Sequence, residues 1–257
     1  MLGTAVTRVL SDDQSLSILS THRDFSVKGP RFFDAIESTL EFRRFEYVIN
    51  CIGLIRQIKG ADKRMMYEIN SKFPWRLATQ CDRQKIRLIH ITTDCVFSGH
   101  RPEGMYTEFD IHDPVDDYGL SKSIGEPTNC LNLRTSIIGP EKRGFLSLLE
   151  WARSNREQEV SGYTNHFWNG VTTTACAQVC HRIIKNGFYE EGVRHISSTT
   201  VSKFELLHGI DRALNLDLRI VPTITPETIN RTLKTNHIGE EKILGVPSLD
   251  EMLSEMK

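Results

Sequence analysis

Tyr118 and Lys122, in the run YGLSK, stand four residues apart. On a helix that spacing puts both side chains on one face. An ammonium beside a phenol favours tyrosinate, so Lys122 is expected to draw the Tyr118 pKa down from about 10 toward working pH. A tyrosine tuned in this way can give its proton to a carbonyl oxygen. The same spacing is common on solvated helix faces, so the pair needs company before it means chemistry.

Company stands upstream. Thr92, Thr93, Asp94 and Cys95 open the run TTDCVFSG, directly after the apolar RLIHI. Hydroxyls at the carboxyl end of a parallel strand lie where open α/β sheets bind ligands. Thr and Asp also open ordinary turns, but two such signals on successive units of one sheet reinforce each other. A third run, Asn50-Cys51-Ile52-Gly53, ends another apolar stretch. Gly53 would let a flat ligand approach the backbone.

The elements that must hold these residues follow from periodicity. Apolar runs at 16–21, 47–52, 87–92 and 130–136 read as strands of a parallel sheet covered on both faces. Helical spacing runs over 61–80, with a break or kink at Pro74, and again over 118–126. Strand and helix alternate, which predicts an α/β fold with a doubly wound parallel sheet. After about Gly139 the rhythm changes. Helices are expected at 145–154, 174–186, 203–214 and 248–256, with a short strand at 195–197. The stretch 159–174, rich in Gly, Asn, Thr and aromatics, is expected to be a binding loop. The division is 1–158 for the sheet domain and 159–257 for a smaller cap.

The 257 residues, 39% hydrophobic and 25% charged with a net charge of -1, suit a packed core and argue against a nucleic-acid partner. The apolar run at 47–55 is too short to span a bilayer, and the N-terminus lacks the pattern of a signal peptide. Six cysteines without a Cys-x-x-Cys pair read as free thiols in a reducing cytoplasm. The histidines show no ligand spacing, and no metal is expected.

Together these motifs resemble the extended short-chain dehydrogenase/reductase family, most closely its dTDP-4-dehydrorhamnose reductase branch. MLG is similar to the tail of a Gly-x-x-Gly-x-x-Gly turn, and NCIG stands at the Asn-Ala-Ala strand end. Glu68-Ile69-Asn70 resembles the Val-Asn motif of the next helix. TTDCVFSG resembles Ser-Thr-Asp-Tyr-Val-Phe-x-Gly, YGLSKSIGE the catalytic helix, and LRTSIIG the strand after it.

The resemblance implies a Rossmann-type NAD(P)-binding sheet with a C-terminal substrate-binding part. It implies Tyr118 as general acid, and Lys122 as the residue that tunes it and holds the nicotinamide ribose. Thr93 would bind the substrate carbonyl. Gly3, Cys51, Ile52, Gly53 and Asn70 would line the cofactor side, with Asn70 supporting the site. Asp94 and Cys95 would border the sugar; Cys95 replaces a Tyr of many relatives, which bears on substrate choice. Arg23, some 20 residues after the glycine turn, favours the 2′-phosphate of NADPH, with NADH as the alternative. Trp168 would pack on sugar or base, or else plug the local core; Asn169 would hydrogen-bond hydroxyls.

The implied reaction is reduction of a nucleotide-linked 4-keto-6-deoxy sugar for surface polysaccharide or deoxysugar synthesis. The implied setting is the cytoplasm, with a nucleotide-sugar partner and room for a homodimer. An epimerase or dehydratase of the same superfamily, and a non-catalytic NADP-binding regulatory subunit, are the other readings. MLGTAVTRVL reads as the last glycine of a phosphate-binding turn and its helix, without the strand that normally precedes them. On that ground a shortened start and weak cofactor binding are expected.

Overall fold

The computed structural model describes residues 1–22, 31–38, 45–55, 62–101, 103–141, 144–237, 239 and 244–256. In chain order the first elements are α1 (Leu2–Ser11), β1 (Thr21–His22), β2 (Arg31–Phe32), β3 (Tyr47–Asn50), α2 (Lys63–Tyr67), a π turn (Glu68–Lys72) and α3 (Phe73–Arg83). Next come β4 (Arg87–Thr93), a 3-10 turn (Asp94–Val96), α4 (Asp117–Ile124), β5 (Leu131–Thr135), β6 (Ile137–Ile138) and α5 (Leu148–Ser154). The remainder is β7 (Glu159–Tyr163), β8 (His166–Trp168), β9 (Val171–Thr172), α6 (Thr173–Asn186), β10 (Gly192–His195), β11 (Val201–Ser202), α7 (Lys203–Leu214), β12 (Arg219–Thr223), β13 (Ile229–Asn230) and α8 (Leu249–Ser254).

The main sheet is four-stranded and parallel, in the order β10-β5-β4-β3. Its register sets Ile89 opposite Leu131 and Ile91 opposite Leu133. These four share one core cluster with Leu2, Ala5, Val6 and Leu10 of α1 and with Val179 and Ile183 of α6. Leu88, one residue out of step, joins Phe73, Leu77 and Cys81 of α3 in a second cluster. The period of two thus sends alternate side chains to opposite helical layers. This is the expected α/β doubly wound parallel sheet.

Several boundaries differ from the sequence reading. Residues 16–20 join no ladder; only Thr21 and His22 pair, with Arg31 and Phe32. The helical run is not broken at Pro74. Proline has no N–H for the carbonyl four residues back, and the chain meets this by widening into the π turn ahead of it. The expected binding loop at 159–174 is instead β7, β8 and β9, because alternate residues of β7 are buried against the cap. Small ladders β7-β12 and β6-β9, and the sheet β11-β8-β13, build the second stretch.

The stretches 1–158 and 159–257 exchange elements. β10 pairs with β5, and α6 packs on α1, so both return to the first layer. One hydrophobic cluster runs from Leu133 in the sheet through Trp168 and Leu206 to Met252 in α8.

Candidate active site

β4 ends in Thr92 and Thr93, both buried. The Thr93 hydroxyl accepts from the Cys95 amide at 3.2 Å and donates to Asp94 Oδ1 at 3.1 Å, closing the 3-10 turn at the strand's carboxyl end. Asp116 caps the start of α4: its carboxylate accepts from the Gly119 amide at 2.7 Å. At Gly119 a Cβ would stand 2.2 Å from the Cys95 carbonyl oxygen. The absent side chain lets α4 press against the 94–96 turn, which brings Tyr118 beside Thr93. Burial, then the neighbouring Cys95, pushes the Tyr118 pKa well above its usual value of 10.

Lys122 lies one turn further along the same helix and is 5% exposed. Its Nζ donates to the Ile91 carbonyl at 3.0 Å. Burial brings its pKa down from 10.5 to about 8, against the pull of Glu126. The expected lowering of the Tyr118 pKa by Lys122 is therefore corrected. The ammonium is turned toward strand β4, where it donates to the Ile91 carbonyl. Tyr118 is held protonated, as a hydrogen donor.

On the cofactor side, a Cβ on Gly3 would lie 3.6 Å from the Cys51 Cβ, so the start of α1 meets the end of β3. α1 opens with no side-chain cap and no acidic residue in its first turn. Its leading N–H groups are thus the kind that hold phosphate oxygens. Asn50 Oδ1 accepts from the Ile52 amide at 3.0 Å, which turns the chain toward exposed Gly53.

Asn70 is buried. It exchanges two hydrogen bonds with the Leu54 backbone, each 2.8 Å, and donates to Ser121 Oγ at 3.1 Å. It ties the 51–54 turn to α4. Arg23 lies outside the described residues.

The substrate-side expectations divide. Asp94 and Cys95 are half-buried beside Thr93 and Tyr118. Trp168 is 3% exposed and its indole N–H donates to Ser136 Oγ at 2.9 Å, so the core-plug alternative holds and the sugar contact is corrected. Asn169 is corrected as well. Its amide donates to the Leu233 carbonyl at 2.8 Å and accepts from the Leu233 N–H at 3.0 Å, leaving little for a hydroxyl. Among the described residues no group of His, Cys, Asp or Glu is placed to hold a metal.

Sequence reasoning missed a buried ion cluster behind α4. Glu126 accepts from Arg134 Nη2 at 2.7 Å, Arg134 Nε at 3.1 Å and Thr92 Oγ1 at 2.9 Å. Arg134 also donates to His195 Nε2 and His112 Nε2, both at 2.8 Å, and stacks over Phe97. The signal was an arginine inside the otherwise uncharged strand LNLRT: such a charge needs a partner.

A family model described as the RmlD substrate binding domain matches residues 1–236. The dTDP-4-dehydrorhamnose reductase of Aggregatibacter actinomycetemcomitans is 25% identical over 211 residues, covering 76% of this chain and 69% of that protein. The dTDP-4-keto-6-deoxy-D-glucose reductase of Streptomyces niveus is 24% identical over 238 residues, covering 87% and 80%. Among solved structures, dTDP-4-dehydrorhamnose reductase from Bacillus anthracis in complex with NADP matches at a TM-score of 0.66 with 24% identity, covering 82% of this chain and 79% of that one. That last likeness is one of fold, and the shared fold is the Rossmann-type sheet. The chain belongs to the RmlD substrate binding domain family.

Proposed function

We propose that this chain reduces the keto group of a nucleotide-linked 4-keto-6-deoxy sugar with NADPH. The observation that carries the reading is the half-buried Tyr118 beside Thr93, at the carboxyl end of β4, with Lys122 one helical turn away. The relatives named above as reductases of such sugars, and the Bacillus anthracis structure with NADP, support it. When bound, the nicotinamide supplies the hydride.

The chain's own residues do the rest. Thr93 and Tyr118 together offer hydroxyl donors to one carbonyl oxygen, and Tyr118 delivers the proton as charge grows there. Burial keeps that proton on Tyr118 until the oxygen demands it. The uncapped start of α1 and the Cys51–Gly53 turn would hold the cofactor's diphosphate and nicotinamide side, and Lys122 would reach its ribose hydroxyls.

The six cysteines are free thiols, four of them buried, which supports a reducing cytoplasm as the setting. No described helix is long and apolar enough to cross a membrane. The test is NADPH oxidation with a dTDP-4-keto-6-deoxy sugar. Tyr118→Phe should lose about 100- to 10,000-fold in kcat. Full turnover in that variant would sink the assignment.

A further inference from the structure

Lys122 Nζ and the Glu126 carboxylate are tied to consecutive residues of β4. The ammonium donates to the Ile91 carbonyl at 3.0 Å, and the carboxylate accepts from Thr92 Oγ1 at 2.9 Å. In the chain, α4 ends at Gly125 between them. Lys122 is buried, and the Glu126 side chain is 7% exposed. Opposite charges tethered side by side in such an interior attract each other more strongly than in water.

The two do not touch. Among the described residues Lys122 is in no ion pair, and the Ile91 carbonyl takes one of its three N–H groups. The carboxylate is claimed by Arg134, at 2.7 Å from Nη2 and 3.1 Å from Nε. A carboxylate in contact would occupy the ammonium. One held back stabilises the charge across a gap and leaves the other N–H groups free. Glu126 does act on Lys122, against the burial that lowers its pKa to about 8.

The other groups around the ammonium do not supply that charge. His90 of β4 faces it, but the Asn50 amide donates to His90 Nδ1 at 3.0 Å and burial holds the ring well below its usual pKa, so it is neutral. Tyr118, one turn back, is protonated. The π turn packs Asn70 and Ser71, which do not titrate, against Ser121. Lys63 of α2 is spent on Asp117 at 2.7 Å. In the 3-10 turn, Asp94 takes the hydroxyl of Thr93 and the thiol of Cys95.

We propose that Glu126 is a positioning residue: it is the set-back counter-charge that keeps Lys122 an ammonium while leaving its N–H groups to the ribose hydroxyls of the cofactor. This rests on the reading of the site as a nucleotide-sugar reductase. Thr92 and Arg134 then serve to fix the carboxylate at its standoff.

The test follows the proton on Lys122 directly. The full chain, with lysine isotopically labelled at Cε, is titrated by NMR without ligands on both sides of pH 8. The Lys122 signal is identified by its loss in Lys122→Met. The wild-type midpoint should fall near 8. Glu126→Gln should lower it by about one unit, and Glu126→Asp, which keeps the charge, should hold it near the wild-type value. Glu126→Gln strands a buried arginine. If it does not fold, the double variant Glu126→Gln, Arg134→Met decides, with a fall of about half a unit or more.

The alkaline fall of kcat/KM for NADPH oxidation should move down with the midpoint, a loss of about fivefold at pH 8 for Glu126→Gln. The proposal is overturned if the midpoint stays at the wild-type value without the carboxylate, or if it falls and the kinetic limb does not follow. A midpoint that falls in a chain whose wild type oxidises no NADPH supports the counter-charge and sinks the reaction instead, so the two can fail separately.

Discussion

Lys122 donates to the Ile91 carbonyl from a position only 5% exposed, and its pKa falls from 10.5 to about 8. In the unfolded chain it binds its proton up to the ordinary value. Between pH 8 and 10.5 the unfolded state therefore holds more protons than the native state, and this group makes stability rise with pH. Below pH 8 its burial costs about 3 kcal/mol at most. Lys122→Met should accordingly melt at or above the wild-type temperature at pH 7 while losing turnover. The difference should narrow between pH 8 and 10. A Lys122→Met protein that melts well below wild type at pH 7 would refute this account. At this scale Tyr118, Lys122 and Thr93 are legible in the sequence, because chemical type and spacing survive without coordinates. The roles of Asn70 and Asn169 are not legible. Each spends its amide on a backbone partner distant in sequence, Leu54 and Leu233, and nothing local announces that pairing.

Two glycines fix where α4 lies. Gly119 allows contact with the Cys95 carbonyl. A Cβ on Gly125 would sit 1.8 Å from the carbonyl of Asn70, the group that Pro74 cannot serve. The π turn, Pro74 and Gly125 are one arrangement: the helix carrying Asn70 and the helix carrying Tyr118 meet at that carbonyl. Gly119→Ala should move Tyr118 away from Thr93. The expected outcome is a kcat lower by about 100-fold, from misplacement of the order of 1 Å, with a stability loss of about 1–3 kcal/mol in urea. Unchanged kcat would show that α4 yields without disturbing the site. The helices and apolar strands of the sheet are legible from periodicity. The π turn is not, since Pro74 reads as a break when its neighbour across space is unknown. β7, β8 and β9 were hidden for a related reason: Gly, Asn and Thr belong to the tight turns between them, and each strand is too short to show its period.

Across the whole molecule, the Arg134 cluster joins the end of β4, the end of α4, β5 and β10. Arg134 donates to both histidines, so each ring must accept at Nε2 and carry its hydrogen on Nδ1. There His112 faces Ser123 Oγ at 2.7 Å, and His195 faces the carbonyls of Tyr106 and Lys234 at 3.1 and 3.0 Å. A second proton on either ring would aim at a guanidinium. Burial and Arg134 hold the His195 pKa down at about 4, and burial lowers that of His112. The unfolded chain takes up these protons near pH 6.5 and the native chain does not, so stability is lost as pH falls from 6.5 toward 4. The melting temperature should drop by several degrees over that range. A flat profile would mean that the rings protonate in place. The doubly wound layout is legible from alternation alone, whereas this cluster gathers residues 112, 126, 134 and 195, which only the sheet order brings together.

The continuous apolar cluster from Leu133 through Trp168 and Leu206 to Met252 limits how the molecule can move. A cap that swung on a hinge would have to pull these side chains apart and admit water among them. Opening on that scale approaches the free energy of global unfolding, not that of a loop motion. On the function proposed above, ligands would then enter and leave past a rigid body, by small displacements of the segments that rim Asp94 and Cys95. If so, the pace of turnover is set by those segments, and stiffening the interior would leave it untouched.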